Sequence, residues 1–134
     1  MSESYTRVPF PPSLWKAFYR RGVASIKSKV YLDFERDCLA ALKAADFKPP
    51  DAMELEVDIL LFSPSWYTKK NNIRKKDVDN YLKCILDVIT TYCKKMNPDF
   101  DDSMVFALYV AKQLHKDEFA LISISPRDPS DYNG

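Results

Sequence analysis

Glycine is almost absent from this 134-residue chain, which carries only Gly22 and Gly134. A Walker loop or a dinucleotide-binding fold needs several glycines so that backbone N–H groups can approach phosphates. Neither fold can be built here in its usual form. Cysteine is scarce and odd in number: Cys38, Cys84 and Cys93, with no C-x-x-C pair of the kind that holds zinc or does redox chemistry. Cys84 and Cys93 fall inside a helical pattern and are expected as buried, reduced thiols. The single histidine, His115, has no second histidine with which to share a metal and is expected at a surface or rim. No long apolar run exists. Aliphatic and aromatic runs such as residues 59–62 are far too short to span a bilayer. The first seven residues lack the apolar run of a signal peptide. The expectation is a cytoplasmic protein with no membrane partner.

What is present fits one folded domain. Hydrophobic residues make up 46% and charged residues 29%, enough apolar side chains for a single core and too many for a disordered chain. Residues 1–126 are expected to form that domain and residues 127–134 a flexible C-terminal tail. The net charge of +1 conceals segregation. Between residues 7 and 32 stand Arg7, Lys16, Arg20, Arg21, Lys27 and Lys29 with no acid. Between residues 69 and 76 stand Lys69, Lys70, Arg74, Lys75 and Lys76, again with no acid. Segregated charge creates local potential even where the sum is near zero.

Periodicity gives the element order. Residues 5–10 alternate loosely and stop at Pro11-Pro12, as a short strand does. Residues 12–28 read as a basic, aromatic loop. Leu32, Phe34, Leu39 and Leu42, together with Ala40, Ala41, Ala44 and Ala45, predict a helix over residues 30–45. Residues 53–62 alternate and then turn fully apolar, as a strand entering a core does. Residues 64–76 form a basic loop, with Trp66 and Tyr67 near its base. Asp77 is placed as an N-cap, and Val78, Leu82, Ile85, Leu86 and Ile89 share one helical stripe running to about residue 94. Residues 104–114 and 119–125 read as two strands joined as a hairpin at Lys116-Asp117. The predicted class is α/β (α+β), a small mixed sheet of about four strands packed against two main helices.

The chemistry concentrates at Lys75-Lys76-Asp77-Val78-Asp79-Asn80-Tyr81-Leu82-Lys83. Asp79, Lys83 and Asp87 are four apart and line one helical stripe beside the apolar face. A second acidic group, Asp99, Asp101 and Asp102, precedes the next strand and can converge on Asp77 and Asp79 if that strand pairs nearby. Mg²⁺ prefers hard oxygen ligands and keeps several waters, so two or three carboxylates plus a substrate phosphate suit it. A lysine one turn from Asp79 is placed to stabilise transition-state charge or to assist proton transfer. Each feature has a bland reading. Asp77 alone is more often a helix cap, and Asp79 complements the helix dipole. A calcium loop is rejected, because Leu82 and Val88 stand where that loop requires Gly and Glu. Two basic segments also interleave cations with rings, Trp15-Lys16-Ala17-Phe18-Tyr19-Arg20-Arg21 and Trp66-Tyr67-Thr68-Lys69-Lys70. Cations bind phosphates, and rings stack on exposed bases or wedge a junction open.

The string Asp77-Val78-Asp79-Asn80-Tyr81-Leu82-Lys83, then Asp87, then Asp101-Asp102-Ser103-Met104-Val105, resembles the RusA family of Holliday junction resolvases. Val8-Pro9-Phe10-Pro11-Pro12-Ser13 followed by Tyr19-Arg20 is similar to that family's opening strand and turn. The resemblance covers roughly residues 8–124. It implies a compact α/β homodimer that cuts four-way DNA junctions with Mg²⁺, Mn²⁺ being able to substitute. Carried over by position, Asp77, Asp79 and Asp102 match the family's essential carboxylates and Lys83 its catalytic lysine. Asp101 and Asp87 match positions of less defined role and are further metal-ligand candidates. Lys16, Arg20, Arg21, Lys69, Lys70, Arg74, Lys75 and Lys76 are the expected DNA-binding cations. Two departures stand out: Leu14-Trp15 follows Pro-Pro-Ser where the family often has Asn, and the helix ends without a Gly. Two other classes compete with this reading: a non-catalytic branched-DNA-binding protein of the same fold, and a nucleotide-sugar transferase, for which so small a domain leaves little room.

Overall fold

The computed structural model describes residues 4–74 and 78–127. Its centre is the strand β4 (Leu55–Ser63), in which Leu55, Val57, Ile59 and Leu61 are at most 1% exposed. Burying each such side chain contributes about 1.5–3 kcal/mol, so this run dictates what packs around it. Two helices cover the face those four residues present. Helix α2 (Lys29–Ala44) buries Tyr31, Phe34, Cys38 and Leu42, and helix α3 (Asp79–Met96) buries Cys84, Ile85, Val88, Ile89 and Cys93. Both sets recur at helical spacing, which is why these segments coil rather than extend. The expected mixed sheet against two main helices is what forms. Cys84 and Cys93 are buried free thiols, as expected, and Cys38 is buried and free as well. Among the described residues, no helix is long and apolar enough to cross a membrane.

The four-stranded sheet runs β1 (Thr6–Val8), β6 (Phe119–Pro126), β4, β5 (Val105–Leu114). β4 pairs in parallel with β5 and antiparallel with β6. A parallel pair needs a crossover of a dozen residues or more, and α3 supplies it. This order corrects the expected hairpin between residues 104–114 and 119–125, since β4 lies between those strands. The cause is burial: a strand so apolar along its length belongs at the centre, with both edges paired. Residues 115–118 step over the end of β4, a span of about 10 Å. There the His115 N–H donates to the Ser63 carbonyl at 3.2 Å.

A second correction concerns residues 12–28, expected as a loop. They form a short helix α1 (Leu14–Ala17) and an antiparallel hairpin, β2 (Phe18–Arg21) with β3 (Ala24–Lys27). Gly22 turns the hairpin at φ +65°, a left-handed conformation that glycine adopts without steric cost. Ser28 ties this unit to the body. Its hydroxyl donates to the Lys16 carbonyl at 2.6 Å and accepts from the Tyr31 N–H at 3.2 Å, capping α2. The segment after β4 is ordered more tightly than a loop: Tyr67 bridges to Ile73, with Lys69 and Lys70 at the tip. Just after β6 Arg127 is anchored, its N–H donating to the Glu54 carbonyl at 2.9 Å and its guanidinium pairing with the Glu54 carboxylate; the rest of the expected tail, residues 128–134, lies outside the described residues.

Candidate active site

Three aromatic rings fix where α3 begins. Tyr81, in its first turn, packs edge-on against Phe10 at 5.3 Å and against Trp66 at 5.9 Å. Trp66 is held by its indole N–H, which donates to the Gln113 carbonyl at 2.9 Å. The opening Pro-rich segment, the post-β4 segment and β5 therefore converge on the helix start. With its apolar stripe committed to the sheet, α3 turns the stripe of Asp79, Lys83 and Asp87 outward. Lys83 Nζ pairs with Asp87 Oδ2 at 3.4 Å, and both side chains are about half exposed.

The parallel pairing of β4 and β5 brings the second acidic group to the same helix. Asp102 opens a single 3₁₀ turn, Asp102–Met104, just before β5. It lines a hollow of about 310 Å³ together with Lys83, Asp87 and Thr90, over a floor that includes Val57 and Val105. Asp101 stands beside it, exposed. The Ser103 hydroxyl donates to Asp101 Oδ2 at 2.8 Å, and this hydrogen bond, helped by Asp102 and by Lys94, holds the Asp101 carboxyl below the usual carboxylate value. Asp79 is exposed and lies one turn before Lys83, about 6 Å along the helix axis. It does not line the hollow. So the structure gathers Lys83, Asp87 and Asp102 in one depression, with Asp79 a turn along the helix and Asp101 alongside. Asp77, Lys75 and Lys76 lie outside the described residues. Among the described residues, no three His, Cys, Asp or Glu side chains form a group able to hold a metal ion.

A second cleft, of about 450 Å³, meets the hollow at Lys83, which lines both. Its other walls include Trp15, Phe18, Tyr19, Arg20 and Asn80. Sequence pattern singles out Trp15, Tyr19 and Asn80 without giving them positions in the site. The unforeseen α1 and β2–β3 hairpin carry the two rings to α3, Trp15 from α1 and Tyr19 from β2. The expected cations Lys16, Arg20, Arg21, Lys69, Lys70 and Arg74 are all exposed, and Arg20 reaches the cleft. Asp58, a buried carboxylate in mid-β4, belongs to neither depression: it alternates with the core-facing residues and so points to the other sheet face.

This arrangement offers carboxylate oxygens and a cation to a phosphodiester, with apolar and aromatic surface alongside. Comparison with protein families gives a match to the family described as endodeoxyribonuclease RusA, over residues 9–125. Comparison with curated proteins gives no match.

Proposed function

The chain belongs to the RusA endodeoxyribonuclease family, and on that premise we propose that it is a divalent-metal-dependent enzyme resolving four-way DNA junctions by paired phosphodiester hydrolysis. The observation that carries this reading is the meeting of Asp102 with Lys83 and Asp87 in one hollow, a turn from Asp79, although nineteen or more residues separate Asp102 from Asp79 and Lys83 in sequence.

The donor chemistry suits a hard cation. Asp79, Asp101 and Asp102 are exposed carboxylates, whereas the soft thiol donors Cys38, Cys84 and Cys93 are buried. In this reading Asp77, Asp79 and Asp102 hold Mg²⁺ (or Mn²⁺), with Asp101 close by. When bound, the ion polarises a phosphoryl oxygen and lowers the pKa of a coordinated water. The chain's own groups do the rest. Lys83 faces the scissile phosphate and stabilises the charge that builds on its oxygens. Asp87 holds the Lys83 ammonium in place through their ion pair. Lys16, Arg20, Arg21, Lys69, Lys70 and Arg74, with Lys75 and Lys76, bind the arms of the junction through phosphate contacts. A four-way junction has approximate two-fold symmetry, and two paired incisions need two sites, so the working form is a homodimer of one RusA-like domain, residues 1–126. Its location is cytoplasmic.

The test is Asp79→Asn, which keeps size and removes charge. Cutting of a synthetic junction is expected to be abolished while gel-shift affinity stays near wild type. Retained metal-dependent cutting by that variant overturns the assignment.

A further inference from the structure

Trp15 is 86% exposed at the mouth of the cleft beside Lys83, whereas Trp66 is 4% exposed and hydrogen-bonded. A tryptophan left almost wholly in water is unusual for a residue with so much apolar surface to bury. Tyr19, from β2, is 51% exposed on the same cleft. Neither ring is needed for the core: Phe18 packs inward on Tyr31 at 5.2 Å and Ala17 is fully buried, so the hairpin is anchored by their neighbours. The cleft they bound is apolar along most of its wall, with Arg20 and Lys83 as its cations and Asn80 as a neutral donor and acceptor.

That combination fits one chemistry. Flat rings offer stacking surface to any base, two cations offer charge to the attached phosphates, and an amide can bond a base edge. We propose that this cleft receives an unpaired nucleobase from the branch point, next to the nucleotide whose phosphate lies at Lys83. The proposal rests on the nuclease reading for the position of that phosphate and adds a recognition step to it. Because Lys83 is common to cleft and hollow, a base seated against Trp15 and Tyr19 sets which phosphate reaches the acidic side. A continuous duplex stacks each base on both sides, whereas pairs at a branch point lack that continuous stack and open at lower cost, so the cleft discriminates branched from linear DNA. Stacking is sequence-tolerant, so this step favours open geometry over any one base.

The experiment compares wild type with Trp15→Ala and Tyr19→Ala. Both residues are exposed, and thermal unfolding confirms that each variant is folded. The substrate is a four-way junction, intact or with single abasic sites placed in turn at the nucleotides flanking the branch point. One stacked base is worth about five- to 150-fold in affinity. For wild type, one abasic position is expected to weaken EDTA-buffered binding by at least about fivefold, and Trp15→Ala to bind the intact and abasic junctions alike. Tryptophan emission of wild type is expected to fall when the intact junction is added, and to stay constant in Trp15→Ala. If wild type binds every abasic junction as it binds the intact one, or if Trp15→Ala suffers the same abasic penalty as wild type, the cleft is not a base site. If the junction quenches Trp15 and the coupling holds but no metal supports cutting, the base site stands and the nuclease reading falls. Metal-dependent cutting without that coupling keeps the nuclease reading and removes the base site.

Discussion

Replacing Lys83 by alanine separates a structural role from a chemical one, because the structure makes the two losses very different in size. The Lys83–Asp87 pair spans one helical turn at 3.4 Å, with both side chains about half exposed. Such pairs contribute about 0.3–0.5 kcal/mol, and alanine recovers part of that through its higher helix propensity. Stability should therefore change by at most about 0.5 kcal/mol, a shift in Tm of about 2 °C for a domain of this size. Removing a group that stabilises charge on a reacting oxygen costs far more, about 100- to 1000-fold in rate. The control is Asp87→Ala, which breaks the same ion pair and leaves the ammonium in the hollow. Single-turnover cutting of a labelled junction should fall about 100-fold or more in Lys83→Ala and by less than about tenfold in Asp87→Ala, with the two Tm values alike. Refutation takes one of two forms. Either Lys83→Ala cuts within a few-fold of wild type, or the two variants lose activity in parallel with a large common drop in Tm.

The remaining predictions concern stability. Burial pushes the Cys84 thiol up to about 11 and those of Cys38 and Cys93 up to about 12. The folded chain thus keeps protons that the unfolded chain releases above its ordinary thiol value, about 8.5. This contribution is fully present below that value and is lost as pH rises toward 11–12, at up to about 1.4 kcal/mol per pH unit for each thiol. The urea midpoint should accordingly be lower at pH 10.5 than at pH 8, and a flat profile contradicts the burial. Ser28→Ala removes both the cap of α2 and the bond to the Lys16 carbonyl. It should cost about 1 kcal/mol in thermal unfolding, and an unchanged Tm would show that neither bond matters.

Both long helices were legible because their apolar residues repeat at helical spacing over four turns or more, and tertiary packing simply agreed with that pattern. The stripe of Asp79, Lys83 and Asp87 followed from the same arithmetic, and the Lys83–Asp87 pair realises it. Sheet order was not legible in the same way. Local sequence suggests that consecutive strands pair, yet β4 is so apolar that it takes the centre and separates β5 from β6. That non-local choice also carries Asp102 to α3, since β5 runs parallel to β4 and starts at the same end of the sheet. The β2–β3 hairpin was hidden because its strands are short and mostly exposed, with no alternation of buried and solvated residues to betray them. Its one local signal was Gly22 followed by Val23, a two-residue turn between short runs. Missing α1 and the hairpin meant missing the cleft, which Trp15 lines from α1 and Tyr19 from β2. Asp77 was placed as a helix cap by residue type; it lies outside the described residues, and α3 starts from Val78 without a side-chain cap.

The most direct test is to incubate purified protein with a synthetic four-way junction, add Mg²⁺, and map every nick on all four strands. Two incisions related by the junction's two-fold symmetry are expected, absent in EDTA and absent from linear duplex of the same sequence. A junction that is bound but uncut at every divalent-metal concentration, or linear duplex cut as readily as the junction, would contradict the account.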